Sequence, residues 1–123
     1  MTITNSTMKE IKIDKVLKSP FAVSTDEGEI IFKLINESFN QNQDVCIDFS
    51  NIQLIISTFL NAAIGQLYGS FPTEYIQQHL SIVNMPQDDL GTLKLVTDRA
   101  KEYFKDKSRF ENAAKKNLPN AEE

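Results

Sequence analysis

The chain is poor in the residues that make chemistry by themselves. Its one cysteine, Cys46, can form no internal disulfide, and in the apolar run Val45-Cys46-Ile47 the thiol reads as a small buried hydrophobe. Its one histidine, His79, has no second His or Cys at metal-ligand spacing, so the sequence offers no metal site. The four glycines form no phosphate-cradling loop. No basic cluster is denser than Lys115-Lys116, and the net charge is −4, which disfavours binding to a nucleic-acid backbone. No apolar run approaches the length of a membrane span, and Met1 to Met8 has neither the basic nor the apolar region of a secretory leader. A cytosolic protein without membrane contact is the expectation.

What is present fits one core. At 123 residues and 41% apolar content, the chain should enclose a single domain over residues 1–106, followed by a polar, flexible tail over 107–123, frayed or partly helical, with too few apolar groups to offset ordering entropy. Lys9 to Val16 alternates, with Ile11 and Ile13 on one face, and predicts an outer strand. Ser24-Thr25-Asp26-Glu27 is a helix-start signal, and Ile31, Leu34, Ile35 and Ser38 give the apolar face of a helix over about 25–41. Asp44 to Phe49 is short, β-branched and apolar, predicting a central strand covered on both faces. Residues 50–56 then connect to a second helix over about 58–70, ended by Gly69 and Pro72. Residues 74–80 read as a helical turn or loop, 81–85 as a further strand, and Gln87-Asp88-Asp89 as the start of a last helix.

The order β-α-β-α-β-α demands right-handed crossovers and a largely parallel or mixed sheet with helices packed on it, an α/β fold. In such sheets sites gather where strands reach their carboxyl ends, and that edge here receives Asp48, Phe49 and Ser50 and the loop toward Ser57.

Asp48-Phe49-Ser50, an apolar loop, then Ser57-Thr58 with Leu60 at a helix start resemble the STAS domain of anti-sigma-factor antagonists, whose pattern is a strand ending Asp-Leu-Ser followed by Asp-Ser-Ser-Gly-Leu-Gly. Ser57 to Leu67, with its Ser-Thr-Phe-Leu-Asn opening, is similar to a bacterial STAS-like family of unknown function. The similarity covers residues 19–104. Ile56 stands where the antagonists have Asp, and Phe59 and Asn61 replace small glycines. The resemblance implies a switched adaptor. The position of Ser57 is the one that a partner kinase of the histidine-kinase-like ATPase type phosphorylates, and the unmodified surface binds that partner. Ser57 and Thr58 are accordingly the phosphorylation candidates. Asp48, Ser50, Ser57, Thr58, Phe59, Asn61, Ala62 and Gly65 are the candidate partner-binding residues.

Each residue also has a plainer reading. Ser57 and Thr58 can simply cap the helix, or hold an anion at its start. Asp48 can bond nearby loop amides at the strand end. Phe59 either packs under the helix or protrudes as an anchor, and Asn61 can add a specific polar contact. Ala62, Gly65 and Gly69 form a stripe of small residues suited to close packing against the sheet. Ser57 lacks an evident base, a nearby carboxylate such as Asp48 being the one group that could activate its hydroxyl, so a non-catalytic protein without cofactor is expected. The alternatives to the adaptor are a small-ligand module holding a nucleotide or other anion, and a constitutive oligomerisation unit.

Overall fold

Reciprocal hydrogen bonds start the first long helix. Ser24 Oγ accepts from the Glu27 N–H at 3.1 Å, and Glu27 Oε1 accepts from the Ser24 N–H at 3.2 Å, a capping box that fixes where α2 begins. The computed structural model describes residues 8–117, with side chains described through Lys107. Its elements are β1 (Met8–Lys12), α1 (Ile13–Leu17), β2 (Phe21–Ala22), α2 (Thr25–Asn40), β3 (Asp44–Asp48), β4 (Leu54–Ile55), α3 (Ser57–Ala63), a tighter 3-10 turn (Gly65–Gly69), α4 (Thr73–His79), β5 (Leu80–Val83) and α5 (Gln87–Asn117). Among the described residues β1, β3 and β5 form one parallel sheet in that order, and β2 pairs with β4 in a second, two-stranded parallel piece. The fold is α/β with helices packed on a parallel sheet, as the strand–helix alternation requires.

Register decides which side of the sheet is dry. Ile11, Ile47 and Ile82 stand in one row across β1, β3 and β5 and face the helices, together with Val45 one step below. The core gathers there with Ile31, Ile35 and Phe39 of α2, Phe59, Leu60 and Ala63 of α3, and Val96 of α5. The opposite face differs from expectation. The row Glu10, Cys46, Ser81 is exposed, half-buried and exposed, so β3 is covered on one face and not on two, and Cys46 is not the sealed hydrophobe its neighbours suggest. The cause is in the strands themselves, since Glu10 and Lys12 of β1, Asp44 and Asp48 of β3 and Ser81 of β5 all stand on that face beside Cys46.

Three further expectations are corrected. The strand read over 9–16 stops at Lys12, because Ile13, Val16 and Leu17 take helical spacing on the core and Lys18 closes α1 in the left-handed region at φ 56°. The connection over 50–56 contains β4, whose Leu54 and Ile55 pair with Phe21 and Ala22. The helix read over 58–70 is two pieces. Ile64 N–H closes α3 on Leu60 C=O at 2.9 Å, and Leu67 N–H then bonds back three residues to Ile64 C=O at 3.0 Å, which tightens the chain into the 3-10 turn. Residues 74–80, where a helical turn or a loop is expected, take the helical alternative as part of α4 up to His79, and Leu80 opens β5. At the carboxyl side α5 runs through 106–107 without a break to Asn117, and residues 118–123 of the expected tail lie outside the described residues.

The small-residue stripe meets helices rather than the sheet. Gly28 of α2 lies against α3 so closely that an added Cβ would sit 2.6 Å from Ala62 Cβ and from Phe59 C=O. A Cβ on Gly65 would contact Val96 and Ala100 of α5, and one on Gly69 would enter the Phe104 ring at 2.5 Å. Gly28→Ala is therefore expected to lower stability by about 1–3 kcal/mol through overpacking, although alanine alone favours a helix by up to about 1 kcal/mol over glycine. A thermal melt checks this, and an unchanged or raised midpoint would mean that α2 and α3 separate freely.

Candidate functional site

Two polar features stand out, and the structure separates their roles. The first is a cluster at the carboxyl ends of the three-stranded sheet. Asp48, the last residue of β3, is 5% exposed, and its Oδ1 accepts from Ser50 N–H at 2.8 Å, Ser50 Oγ–H at 2.6 Å and Asn84 Nδ2 at 2.9 Å. Its Oδ2 accepts from Lys12 Nζ at 3.2 Å. Ser50 also receives Asn84 Nδ2 at 3.0 Å. The hydroxyl of Ser50, the Asn84 amide and the Ser50 N–H favour the charged carboxylate over its desolvation cost and hold the Asp48 pKa far below the ordinary range. The same carboxylate, with Glu10 adding its charge, raises Lys12.

This cluster is a clamp. It joins the ends of β1, β3 and β5, and it does so from a left-handed Asn84 at φ 61°, a conformation asparagine tolerates well. Asp48 thus takes the plainer of its two readings, a strand-end carboxylate bonding its loop, and it makes no hydrogen bond to Ser57. Asn84 and Lys12 were missed by sequence reasoning. Only the asparagine just before Met85-Pro86 hinted at a special turn.

The second feature is the start of α3. Ile56 is its N-cap, with extended backbone and no side-chain cap bond, so Ser57 and Thr58 occupy the first two helical positions instead of the capping one. Both are exposed, and among the described residues neither hydroxyl makes a hydrogen bond. Asn61, one turn on, is exposed as well. Phe59, Ala62 and Gly65 are buried. Phe59, at 0% exposure, packs edge-on to Phe49 with ring centroids 6.5 Å apart, under the helix and not outward. The outward surface is extended by side chains that sequence reasoning did not single out. Thr25 from α2 lines an open groove of about 310 Å³ with Thr58, Asn61 and Gln66. Asn61 and Gln66 continue into a second groove of about 340 Å³ bounded by Arg99, Tyr103 and Phe104 of α5. Gln66 is held in place by donating to Glu29 Oε2 at 2.9 Å and to Ala62 C=O at 3.0 Å. On the approach to α3, Leu54, Ile56 and the paired Phe21 are exposed apolar side chains.

Among the described residues no group of three or more His, Cys, Asp or Glu side chains is placed to hold a metal ion, and no helix is long and apolar enough to cross a membrane. His79 instead bonds Asp44 Oδ1 through Nδ1 at 2.6 Å and lies tilted by 36° against Tyr75, with ring centroids 4.2 Å apart.

Residues 27–90 match the model of a family described as STAS-like domain of unknown function (DUF4325), and the chain belongs to that family. No curated protein and no solved structure matches the chain.

Two outcomes check this division of roles. Ser57→Ala and Thr58→Ala should each change stability by less than about 0.5 kcal/mol, because neither hydroxyl caps α3, whereas a cap would cost about 1 kcal/mol to lose. Asp48→Asn should destabilise by about 1–2 kcal/mol in denaturant unfolding, since the clamp loses its charge and keeps buried donors. The pH dependence follows from the lowered Asp48 pKa. The unfolded chain binds the proton first, so the contribution of Asp48 is complete above its unfolded pKa of about 4 and is lost as the solution is acidified below that value. In Asp48→Asn this segment of the pH–stability curve should flatten.

Proposed function

We propose that this STAS-like domain is a non-catalytic regulatory adaptor that binds a protein partner through the exposed start of α3, with Ser57 as the phosphorylation switch. One observation carries the reading: the Ser57 and Thr58 hydroxyls stand at the surface and take no part in holding the helix, so the fold gives them no other employment. A surface serine with no capping duty can be modified without unfolding α3. Around it Ile56, Leu54 and Phe21 supply apolar contact area, and Thr25, Asn61 and Gln66 supply polar groups, the mixture that recognises a protein surface.

The mechanism is electrostatic. A phosphate on Ser57 adds about −1.5 to −2 charges at neutral pH, directly beside the apolar Ile56. A partner seated on that strip would have to bury the charge without a paired cation, so it is released. The resemblance to anti-sigma-factor antagonists makes a histidine-kinase-like ATPase the favoured partner, with the kinase and the binding surface meeting at the same serine. Asp48, with its oxygens given to Lys12, Ser50 and Asn84, serves this surface only by fixing the strand end from which the loop to α3 departs.

The test is direct. The protein is incubated with the histidine-kinase-like ATPases of its own cell and ATP, and modified residues are located by mass spectrometry. Phosphate should appear on Ser57, be lost in Ser57→Ala, and Ser57→Asp should weaken the complex about tenfold or more. A complex indifferent to Ser57→Asp, or phosphate placed elsewhere, would contradict the switch.

A further inference from the structure

The two edges of the three-stranded sheet are built differently, and the difference points to a second copy of the chain. The β1 edge carries Lys9, Glu10 and Lys12, charges that oppose the addition of another strand. The β5 edge is Leu80-Ser81-Ile82-Val83, without charge or proline. Phe49 N–H donates to Val83 C=O at 3.1 Å, so Val83 and, two residues back, Ser81 direct their backbone groups to β3. Ile82 therefore directs both its N–H and its C=O to the open edge, as Leu80 does its C=O. The Leu80 N–H is already spent on Ile76 C=O, where it closes α4. Among the described residues no element pairs with the outer side of β5.

We propose that two copies pair antiparallel through β5, with Ile82 opposite Ile82 of the second copy, so that two three-stranded sheets become one of six strands. In this register each Ile82 gives one N–H and takes one through its C=O, and the two-fold arrangement is self-complementary. The side chains agree. Ile82 faces its own β-branched equivalent with no like charges opposed, which favours a cross-strand pair. Leu80 and Ile82 are only partly buried, because beyond them lies a groove of about 370 Å³ walled by Ile76, Leu90 and Leu93. Leu90, 45% exposed, stands at its rim and is covered by the second copy.

Charge fits the same operation. The groove rim on α5 carries Lys94 and Lys101 around the single Asp98, at 2.9 and 3.8 Å, leaving one positive charge in excess. The start of α5 carries Asp88 and Asp89. Because α5 follows β5 after residues 84–86 and lines one groove with Leu80 and Ile82, antiparallel pairing would turn the acidic start of one α5 toward the lysine rim of the other. This inference is independent of the adaptor reading, which uses the start of α3.

Sedimentation equilibrium over a range of concentrations, on the full chain, tests it with two variants. Ile82→Pro removes the outward N–H while leaving the bonds of Ser81 and Val83 to β3 in place, and proline is tolerated on an edge strand in that position. Leu90→Asp puts a charge on the exposed groove rim without touching the core. The wild type should reach twice the monomer mass, and both variants should raise the dissociation constant about tenfold or more with circular dichroism unchanged. A wild type that stays monomeric at the highest concentration, or a dimer that Leu90→Asp leaves intact, overturns the proposal. The second result decides even if Ile82→Pro fails to fold, and a folded Ile82→Pro that still dimerises at wild-type strength overturns it too.

Discussion

The seat of α3 on α2 governs the rest of this molecule. Gly28 lets the two helices approach until Ala62 and the Phe59 carbonyl stand where a side chain would otherwise be. With α3 pressed that close, Phe59, Leu60 and Ala63 have one direction to point, into the core, and helical geometry turns Ser57, Thr58 and Asn61 outward. The surface that the proposed function uses is thus the complement of a packing contact. A large apolar Phe59 at the third position of a seven-residue helix secures the arrangement, because its burial against Phe49 anchors the helix start that no cap holds.

The sheet makes a second division of labour. Its helix-facing rows carry the core, while its carboxyl edge is tied off by the Asp48 carboxylate through Lys12, Ser50 and Asn84. Such a buried, fully bonded charge is costly to disturb and is suited to holding geometry. The groups suited to exchange, free hydroxyls and exposed amides, lie instead on α3 and its neighbours. The aromatic cluster of Phe39, Phe71 and Tyr75, with centroids 5.0 to 5.7 Å apart, closes the core where α2 ends and α4 begins.

Much of this was legible in the residues. The capping box at Ser24 and Glu27, the three-four rhythm through Ile31, Ile35 and Phe39, and the alternation of strand and helix all act locally, so their patterns survive in one dimension. The family was legible because Asp48-Phe49-Ser50 and Ser57-Thr58 join a strand end, a loop and a helix start in one run. What stayed hidden was long-range. β4 is two residues long and exists only because Phe21 and Ala22 lie beside it. The open face of the sheet could not be read from Val45-Cys46-Ile47 alone, since Asp44 and Asp48 at the ends of the same strand, with Glu10 and Ser81 from its neighbours, set its polarity. The capping duty assigned to Ser57 failed by one position: Ile56 takes the cap, and a shift of one residue at a helix start moves a hydroxyl from structure to surface.

The proposed binding surface depends most directly on the uncapped, outward start of α3, and amide hydrogen exchange resolved to single residues across positions 54–66 reads it. Ser57 and Thr58, whose N–H groups meet no acceptor in the helix, should exchange at rates near those of an open chain, while Leu60 and Ile64, bonded to Ile56 and Leu60, are protected by orders of magnitude. Strong protection at Thr58, equal to that of Leu60, would mean that the helix start is capped or covered, and would contradict it.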